Sequence, residues 1–595
     1  MTTIDEMVLI PRPRSTVESG EGAPVADLRV RDHPTPSLPP QGFRITSSAE
    51  GVDIDHRDAA GLRYARSLLD QVVDQCPGGR LPGFSIEDSP DIAVRGYVLD
   101  ISRDRVPTRA TLERLVELCA LARINQLQLY VEHTFAHPEH RAVWELASPM
   151  TPAHLSWLDL HCSHHGIELV VNQNTFGHME RWLGHERYRH RAESPEGWDP
   201  VPGMHLPPSV LAPTEDNAAF ALELVRHQLD CVRSPQVHIG CDEPFGLGHG
   251  VSADDVAARG LGPVYVEHLR RLADPLLADG HRVQVWADVL ARHPALAAEL
   301  PTGIVPVAWC YEAPTADGGL RPLPDTVVDL LARMGVDQAG FSGFGPVVAG
   351  LADHDVDFWV APGTSAWNSL VGRVDNARAN LVDAAETARA HGCGGLLVTD
   401  WGDNGHHQPP SVSFGPLVYG GAVAWGLDAN RDLDLGAVLD RHVFADPSGC
   451  ISAALASLGT EWGRTGQEAV NASPLAAALF PDQVHLVLGR PDPALVADVV
   501  ARIEGAIGEL ARAAPTCSDG EVVVRELTLA ARMARHGAWD LLGDAGPPAA
   551  VRTEDMAELA EGHLVSWMDR SRPGGLSDSL ARLDPSLTRR ATAST

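Results

Sequence analysis

A short apolar run followed by an amphipathic helical pattern recurs eight times between Val94 and about residue 405. Each run has the length of a buried strand, and apolar residues at helical spacing fill the intervals, as in 108–122 and 216–232. Eight such units predict an α/β protein built on a (β/α)8 barrel. A doubly wound sheet is the alternative, but it would show fewer units and a Gly-rich first turn. The predicted strands are 95–102, 126–132, 167–174, 236–243, 282–289, 304–312, 357–365 and 395–403.

The segments on either side of this pattern have a different organisation. Residues 1–90 begin with a Pro-rich stretch and continue with strand-like runs and one amphipathic helix, which predicts a small α/β domain. Residues 91–430 carry the barrel pattern. Residues 431–595 have Ala, Leu and Val at helical spacing. They predict a helical C-terminal domain that packs or oligomerises against the barrel.

The composition limits the chemistry and the partners. A formal net charge of −32 argues against nucleic acid or an anionic membrane surface as the main partner. All 47 basic residues are arginine, and this excludes Schiff-base aldolases, lysine-linked pyridoxal phosphate enzymes and Walker-type phosphate loops, which need an amine. Nine scattered cysteines without a CxxC pair indicate free thiols in a reducing compartment. Because neither a signal-peptide pattern nor a long apolar run occurs, we expect a cytoplasmic protein.

Polar and aromatic side chains collect at the carboxyl ends of the predicted strands, where barrel enzymes place their chemistry. Asp242 and Glu243, adjacent carboxylates before a Pro/Gly loop, are the most informative of them. They are a candidate general acid and a charge-stabilising partner. The alternative is an Asp that caps a helix beside a solvated Glu, but convergence on one rim favours catalysis. The other rim residues are Asp100, Arg103, Glu132, Asn172, Asn174, Trp286, Asp288, Trp309, Glu312, Trp401 and Asp403.

Two motifs resemble those of the family 20 glycoside hydrolases, the β-N-acetylhexosaminidases. HIGCDE (238–243) resembles the family's His-Ile-Gly-Gly-Asp-Glu motif, and RGYVLDISR (95–103) resembles its opening strand, Arg-Gly-x-x-Leu-Asp-x-Ser-Arg. Weaker matches, which fall in the family's order, are GLRYARSLLDQ (61–71), FGH (176–178) and TDWGD (399–403). The resemblance covers about residues 50–405 and implies a barrel glycosidase that needs no cofactor.

The chain departs from the family's pattern at two strand ends. The second strand ends in QLYVEHT (128–134), where the family has His-x-His and one or two Asp. The third ends in VNQNTFGH (171–178), where the family has Pro-Glu-Ile-Asp before Pro-Gly-His. The carboxylate–histidine relay behind the acid is therefore altered, with His133 or Asn174 in place of an aspartate, and no tyrosine is assigned to the acetamido group. We expect a divergent branch, with leaving-group preference and terminal sugar left open.

The adjacency of Asp242 and Glu243 limits the mechanism. Consecutive Cα atoms lie about 3.8 Å apart, so the pair hardly flanks a sugar ring from opposite faces as a nucleophile and an acid do. The pair suits the substrate-assisted route of family 20, in which the substrate's 2-acetamido oxygen attacks the anomeric carbon. The resemblance implies that Asp242 stabilises the oxazolinium and that Glu243 is the acid and then the base. His178 is expected to bond near Glu243 and tune it, with a satisfied core histidine as the alternative.

Further residues are expected to bind the terminal sugar. The resemblance assigns Arg95 to the O3 and O4 hydroxyls, with a structural ion pair as the alternative. Asp403 is a candidate acceptor from O4 or O6, with a helix cap as the alternative, and Asn174 is a further candidate contact. Three tryptophans at strand ends are expected to wall the acetamido methyl group and the sugar face, although each alone is more often a core residue: Trp286, Trp309 and Trp401.

These arguments predict a retaining exo-β-N-acetylhexosaminidase that removes terminal β-linked GlcNAc or GalNAc from a glycan or glycoconjugate. The alternatives are a glycosidase of altered sugar specificity and a catalytically silent carbohydrate-binding barrel. A metal-dependent hydrolase ranks last, because the histidine groups at 137–140, 161–165 and 405–407 are expected to be solvated polar faces and not ligands of one ion. We therefore expect no metal, no cofactor, and neither nucleic acid nor membrane as a partner. Homo-oligomer formation is left open.

Overall fold

The computed structural model describes residues 3–76, 79–483 and 485–583. The N-terminal region forms a five-stranded sheet from β1 (Ser15–Pro24), β2 (Val30–Pro34), β3 (Phe43–Ser48), β4 (Gly51–His56) and β5 (Arg80–Asp88). The strand order across the sheet is β1–β5–β3–β4–β2. Helix α1 (Ala59–Asp74) begins where the Asp58 side chain accepts a hydrogen bond from the Gly61 amide, and its buried residues include Leu68 and Val72. Those two side chains join the apolar residues of the sheet in a separate small core.

A closed parallel barrel forms the centre of the molecule. The next strands along the chain are β6 (Val94–Asp100), β7 (Gln126–Val131), β8 (Glu168–Gln173), β9 (Trp198–Val201), β10 (Met204–Leu206), β11 (Gln236–His238), β12 (Arg282–Trp286), β13 (Ile304–Trp309), β14 (Trp359–Ala361) and β15 (Gly395–Asp400). β9 and β10 make a separate hairpin, and the other eight follow one another around the barrel in chain order, with β15 pairing to β6. Seven of these eight strands lie entirely inside a predicted run, and β6 begins one residue before its run, at Val94. The predicted (β/α)8 fold is therefore confirmed.

Helices surround the barrel and connect its strands. Three of them begin at a threonine, Thr108, Thr151 or Thr214, whose hydroxyl accepts a backbone N–H of the first turn, which is a common helix start. None of the described helices is both long and apolar enough to cross a membrane. The helices of this region are α2 (Arg109–Leu121), α3 (Arg141–Trp144), α4 (Pro152–His164), α5 (Glu180–Leu183), α6 (Glu186–Arg189), α7 (Glu215–Leu229), α8 (Ala253–Arg259), α9 (Leu261–Ala278), α10 (Asp288–Arg292), α11 (Pro294–Ala297), α12 (Asp325–Met334), α13 (Phe344–Asp353), α14 (Val374–His391) and α15 (Pro410–Trp425).

The barrel interior contains a chain of buried amide side chains. Gln128 donates to the amide oxygens of Gln126 (2.9 Å) and Gln284 (2.8 Å) and accepts from Asn172 (2.8 Å). Pairing these groups with one another offsets much of the cost of burying them. His238 is buried as well, and burial lowers its pKa to about 3, so its imidazole is neutral. The barrel therefore keeps charge out of its interior and carries it at the ends.

The chain after residue 426 is mainly helical and contacts the barrel rim. Its elements are α16 (Leu427–Asn430), α17 (Leu435–Val438), α18 (Cys450–Leu458), β16 (Glu468–Val470), α19 (Pro474–Leu479), β17 (Leu486–Leu488), α20 (Pro493–Leu510), α21 (Gly520–Leu542), α22 (Ala549–Arg570) and α23 (Leu576–Leu583). The Ser579 hydroxyl on α23 donates to the Gly405 carbonyl (2.6 Å), and the Asn471 amide donates to the Glu312 carboxylate (2.6 Å). The β16–β17 hairpin was not predicted. The domain limits at residues 90 and 430 stay predictions.

Candidate active site

Asp242 and Glu243 lie where the chain leaves β11 and crosses the carboxyl rim of the barrel. This turn has positive φ at Gly240 (66°), Cys241 (67°) and Glu243 (46°), a conformation that residues with a Cβ take uncommonly. A side chain at position 240 would clash with Asn174, so only glycine fits there. The turn brings both carboxylates to the same imidazole, that of His178.

His178 lies among three carboxylates. Its Nε2 atom is 3.1 Å from Glu243 Oε2 and 3.5 Å from Asp242 Oδ2, and its Nδ1 atom is 3.8 Å from Glu132 Oε1. Burial alone would lower the pKa of His178, but the three carboxylates together raise it well above its ordinary value. The ring therefore carries a positive charge at neutral pH and links the two adjacent acids to Glu132.

Asn174 holds Asp242 in place. Its Nδ2 atom donates to Asp242 Oδ1 (2.9 Å) and to the Tyr130 hydroxyl (2.8 Å), while its Oδ1 atom accepts from the Thr175 and Cys241 amides. Because Asn174 is fully buried and both ends of its amide have protein partners, the prediction that it contacts substrate was wrong. It orients the carboxylate that does face the site.

Glu132, at the end of β7, occupies the relay position for which His133 or Asn174 was predicted. Burial raises the pKa of Glu132 to about 8, although the nearby cations of Arg103 and His178 oppose that rise. His133, the next residue, turns away from the site and places its Nε2 atom 2.6 Å from Asp104 Oδ1. A carboxylate therefore does lie beside His178 at this strand end, and it is that of Glu132.

Arg103 connects the first, second and eighth strand ends. Its guanidinium lies 2.9 Å from Asp100 Oδ2, 3.4 Å from Glu132 Oε1 and 3.2 Å from Asp403 Oδ1. These carboxylates raise the pKa of Arg103 well above its usual value, against the effect of burial. The Arg103 and Asp403 side chains are still 25% and 29% exposed, so both offer hydrogen-bonding atoms at the mouth of the site.

Arg95 lies at the opposite end of the barrel, and its predicted contact with sugar hydroxyls was wrong. Its guanidinium donates to the backbone carbonyls of Ile92 (2.7 Å), Ala93 (3.0 Å) and Arg123 (2.8 Å). It also donates to the Tyr64 hydroxyl (3.0 Å), which belongs to α1. Arg95 is 1% exposed and joins the barrel to the N-terminal domain. The alternative of a structural role is the correct one, although the partners are carbonyls and a hydroxyl and not an ion pair.

Aromatic side chains form one wall of the rim. The Trp286 ring lies 5.9 Å from Trp401, and Trp309 stacks on Tyr311 at 5.3 Å. Tyr311 also meets Trp367 edge-on at 5.1 Å. The indole N–H groups of Trp286, Trp367 and Trp401 are buried without a protein partner. The structure thus assembles the three predicted tryptophans into one apolar cluster, and it adds Tyr311 and Trp367, which were not predicted.

A further carboxylate, that of Asp288, supports the backbone of the acidic pair. Its Oδ2 atom accepts the Glu243 amide at 3.1 Å. Burial and the charge of Asp242 raise the pKa of Asp288 to about 7. The rim thus gathers Asp242, Glu243 and Asp288 around one turn of backbone, and His178 supplies the cation that contacts Asp242 and Glu243.

Two of the three histidine groups considered as metal ligands are buried. His137 and His140 pack against Trp182 and are 0% and 6% exposed, and His406 and His407 are each 7% exposed, so the expectation of solvated faces was wrong for these two groups. The histidines of 161–165 are half-buried or exposed, as expected. Within residues 3–76, 79–483 and 485–583, no three His, Cys, Asp or Glu side chains are arranged so that they could hold a metal ion.

Comparisons with known proteins agree with this architecture. A family model described as "Glycosyl hydrolase family 20, domain 2" matches residues 8–89. The "Beta-N-acetylhexosaminidase" of Cellulomonas fimi is 33% identical over 326 residues, which is 50% of this chain and 62% of that protein. "Hexosaminidase D" of Homo sapiens is 30% identical over 160 residues, 25% of this chain and 30% of that protein. The chain therefore spans less than two thirds of the length of these relatives.

The fold is similar to that of a solved Flavobacterium johnsoniae chitobiase, with a TM-score of 0.52 and 14% identity, over 94% of this chain and 96% of that one. This likeness concerns the fold. The domain match, the half-chain alignment and the closed barrel agree with one another, and the chain is similar to proteins of glycoside hydrolase family 20.

Proposed function

We propose that this protein is a retaining exo-β-N-acetylhexosaminidase that acts by substrate assistance. The observation that carries the proposal is the pair Asp242 and Glu243, which meet one imidazole at 3.5 and 3.1 Å. Two carboxylates this close lie on the same side of a bound sugar. Neither is therefore placed to attack the anomeric carbon from one face while the other protonates the leaving oxygen on the opposite face. The nucleophile must then come from the substrate.

In this mechanism the 2-acetamido oxygen attacks the anomeric carbon, and the bond from that carbon to the leaving oxygen breaks. Glu243, 29% exposed at its side chain, gives its proton to the leaving oxygen. Asp242, held by Asn174 at 2.9 Å, accepts the acetamido N–H and stabilises the positive oxazolinium. Glu243 then takes a proton from water, whose oxygen attacks the anomeric carbon and returns the acetamido group. Two inversions at that carbon give retention.

The rim also supplies groups to bind the sugar. The Arg103 guanidinium and the Asp403 carboxylate lie side by side, 3.2 Å apart and partly exposed, and together they offer a donor and an acceptor for adjacent hydroxyls. We assign to Arg103 the role predicted for Arg95. The part of the aromatic wall formed by Trp401 and Tyr311 suits the acetamido methyl group and the C–H face of the ring, and Trp286, which is 1% exposed, packs against Trp401. All nine cysteines are free thiols, which supports the further proposal that the enzyme works in a reducing compartment.

Hydrolysis of matched aryl β-GlcNAc, β-GalNAc and β-glucoside substrates tests the proposal. We expect the two acetamido sugars to be cleaved and the glucoside to be cleaved at least about 10²-fold more slowly, because it lacks the internal nucleophile. Asp242→Asn and Glu243→Gln should lower kcat by about 10²- to 10⁴-fold on substrates with a poor leaving group. The matched control is Glu299→Gln, at an exposed position, which should behave as wild type.

Three outcomes would contradict parts of this proposal. Equal cleavage of the glucoside would remove substrate assistance. Full activity of Glu243→Gln on a poor leaving group would remove its assignment as the acid. Absence of turnover with every sugar, despite measurable binding, would favour a silent carbohydrate-binding barrel. EDTA is expected to leave the rate unchanged.

A further inference from the structure

A cavity of about 100 Å³ opens beside Glu243, between α10, α13 and the chain that connects α12 to α13. This volume suits a small group and not a drug-sized ligand. Most of its wall is apolar, including Phe245, Ala287, Ala291, Val336, Phe341 and Val347. None of the reaction steps above uses this space.

The polar groups in the wall are mostly occupied by partners within the protein. The Arg292 guanidinium donates to the carbonyls of Asp288 (3.2 Å) and Gly335 (2.7 Å). Asp337 Oδ1 accepts the Ala339 amide (2.9 Å), and Asp288 Oδ2 accepts the Glu243 amide (3.1 Å). Asp288 Oδ1, by contrast, is buried without a protein partner and can accept one hydroxyl. A ligand with many hydroxyl groups would still leave most of them unpaired, and each unpaired hydroxyl would weaken its binding.

The cavity adjoins the acid and not the group that stabilises the acetamido nitrogen. Glu243 and Trp309 contribute to its wall, whereas Asp242, Trp286 and Trp401 do not. Because Glu243 protonates the leaving oxygen in the mechanism above, the space beyond it is where the leaving group extends.

We propose that this cavity binds an apolar aglycone, so that the substrates are β-N-acetylhexosaminides of alkyl or aryl alcohols and not chains that continue with a second sugar. The inference rests on the proposed function, since it takes Glu243 as the acid. Its physical basis is the apolar wall, which stabilises methylene and aryl groups by removing them from water.

The experiment uses hydrolysis-resistant S-alkyl β-N-acetylglucosaminides with methyl, propyl, butyl and hexyl groups, together with cleavage of the matching O-alkyl compounds. The leaving alcohols differ little in acidity, so length alone varies. We expect the inhibition constant to fall, and kcat/KM to rise, about three- to fourfold for each buried methylene. Ala291→Phe, on α10, and Val347→Phe, on α13, fill the cavity from opposite sides and should each abolish this gain with length.

The matched control is Ala295→Phe, an exposed position on α11, which should keep the gain, and circular dichroism establishes that all three variants are folded. Cleavage of O-methyl and disaccharide substrates without any benefit from alkyl length would overturn the cavity assignment while leaving the proposed function intact. Failure to cleave or bind any β-N-acetylhexosaminide would reject the function itself. A gain that appears with longer N-acyl groups, and is lost in Ala291→Phe, would place the acyl group in the cavity and overturn the aglycone proposal.

Discussion

Arg95 lies at the amino end of the first barrel strand and Arg103 lies just beyond its carboxyl end, and the two arginines have opposite surroundings. Arg95, at the amino end, donates to three backbone carbonyls and is 1% exposed. Arg103, beyond the carboxyl end, faces three carboxylates and is 25% exposed. Burial lowers the pKa of Arg95, whereas neighbouring carboxylates raise that of Arg103. Arg95 thus donates to neutral acceptors, whereas Arg103 balances only part of the negative charge of its neighbours.

This difference indicates how the two ends of the barrel are used. At the amino end all three nitrogens of the Arg95 guanidinium donate hydrogen bonds within the protein, which is what stability requires of a buried polar group. At the carboxyl end the acids exceed the cations, since Arg103 and His178 face the following carboxyl groups: Asp100, Glu132, Asp242, Glu243, Asp288 and Asp403. Burial raises the pKa values of Glu132 and Asp288 to about 8 and about 7, so these two are largely or partly protonated at neutral pH. The negative charge of the other carboxylates is unfavourable for folding but suits a reaction whose transition state at the sugar is positive.

The largest effect is expected from Arg103→Met. Loss of the guanidinium removes two charge-assisted hydrogen bonds to the sugar, each worth about 1.5–3 kcal/mol, so kcat/KM should fall by about 10²- to 10⁴-fold. Initial rates should be divided by the folded fraction from circular dichroism. Arg103→Lys, which keeps the charge but loses the planar fork, should lie between wild type and Arg103→Met. Wild-type kinetics in Arg103→Met would remove Arg103 from the sugar site.

The complementary change, Arg95→Met, is expected to affect folding instead. The Ile92, Ala93 and Arg123 carbonyls would lose buried donors, and the free energy of unfolding should fall by about 3–5 kcal/mol. Urea denaturation measures this change, while kcat/KM per folded molecule should stay within about twofold. The control is Arg189→Met, at an exposed position, for which stability should change by no more than about 0.5 kcal/mol. A selective loss of activity in Arg95→Met would restore its predicted role in sugar binding.

The sequence itself distinguishes these two arginines. A seven-residue strand such as β6 is roughly 23 Å long, and barrel sites lie at the carboxyl ends. An arginine at the start of the strand therefore lies too far away, whereas Arg103 follows its end. Tyr311 lies two residues beyond Trp309, where β13 ends, so its stacking on Trp309 does not follow from strand alternation.

Other features depend on the three-dimensional structure. The eight strands were predictable because apolar runs alternate with helical patterns, and the acidic pair because it follows one such run. The choice between Glu132 and His133 was not, since alternation ends with β7 at Val131 and the chain beyond it follows no period. The apolar cavity also escaped prediction, because its wall combines residues from Phe245 to Val347 that are not neighbours in sequence.

A smaller effect, seen mainly in the pH dependence, is expected from Glu132→Gln. Above about pH 8 Glu132 is ionised and its charge, 3.8 Å away, favours the protonated form of His178. The amide removes this stabilisation and lowers the pKa of His178, so the alkaline limb of the kcat/KM profile should move to lower pH by about one unit. Profiles between pH 5 and pH 10 measure the shift, with Glu145→Gln, at an exposed position, as the control. If the alkaline limb of the profile did not move, Glu132 would not be one of the residues that set the charge on His178.

The smallest effect on activity is expected from His133→Gln, although His133 was the predicted relay residue. Its imidazole pairs with Asp104 at 2.6 Å and does not contact the acids, so kcat/KM should change by less than about twofold and the alkaline limb should stay in place. Because the pair is buried, the free energy of unfolding should still fall by about 1–2 kcal/mol. A shift of the alkaline limb in His133→Gln equal to that in Glu132→Gln would mean that both residues set the charge on His178. The contrast between the amino end of the barrel, with its hydrogen-bonded arginine, and the carboxyl end, with its excess of acids, would then not hold at β7.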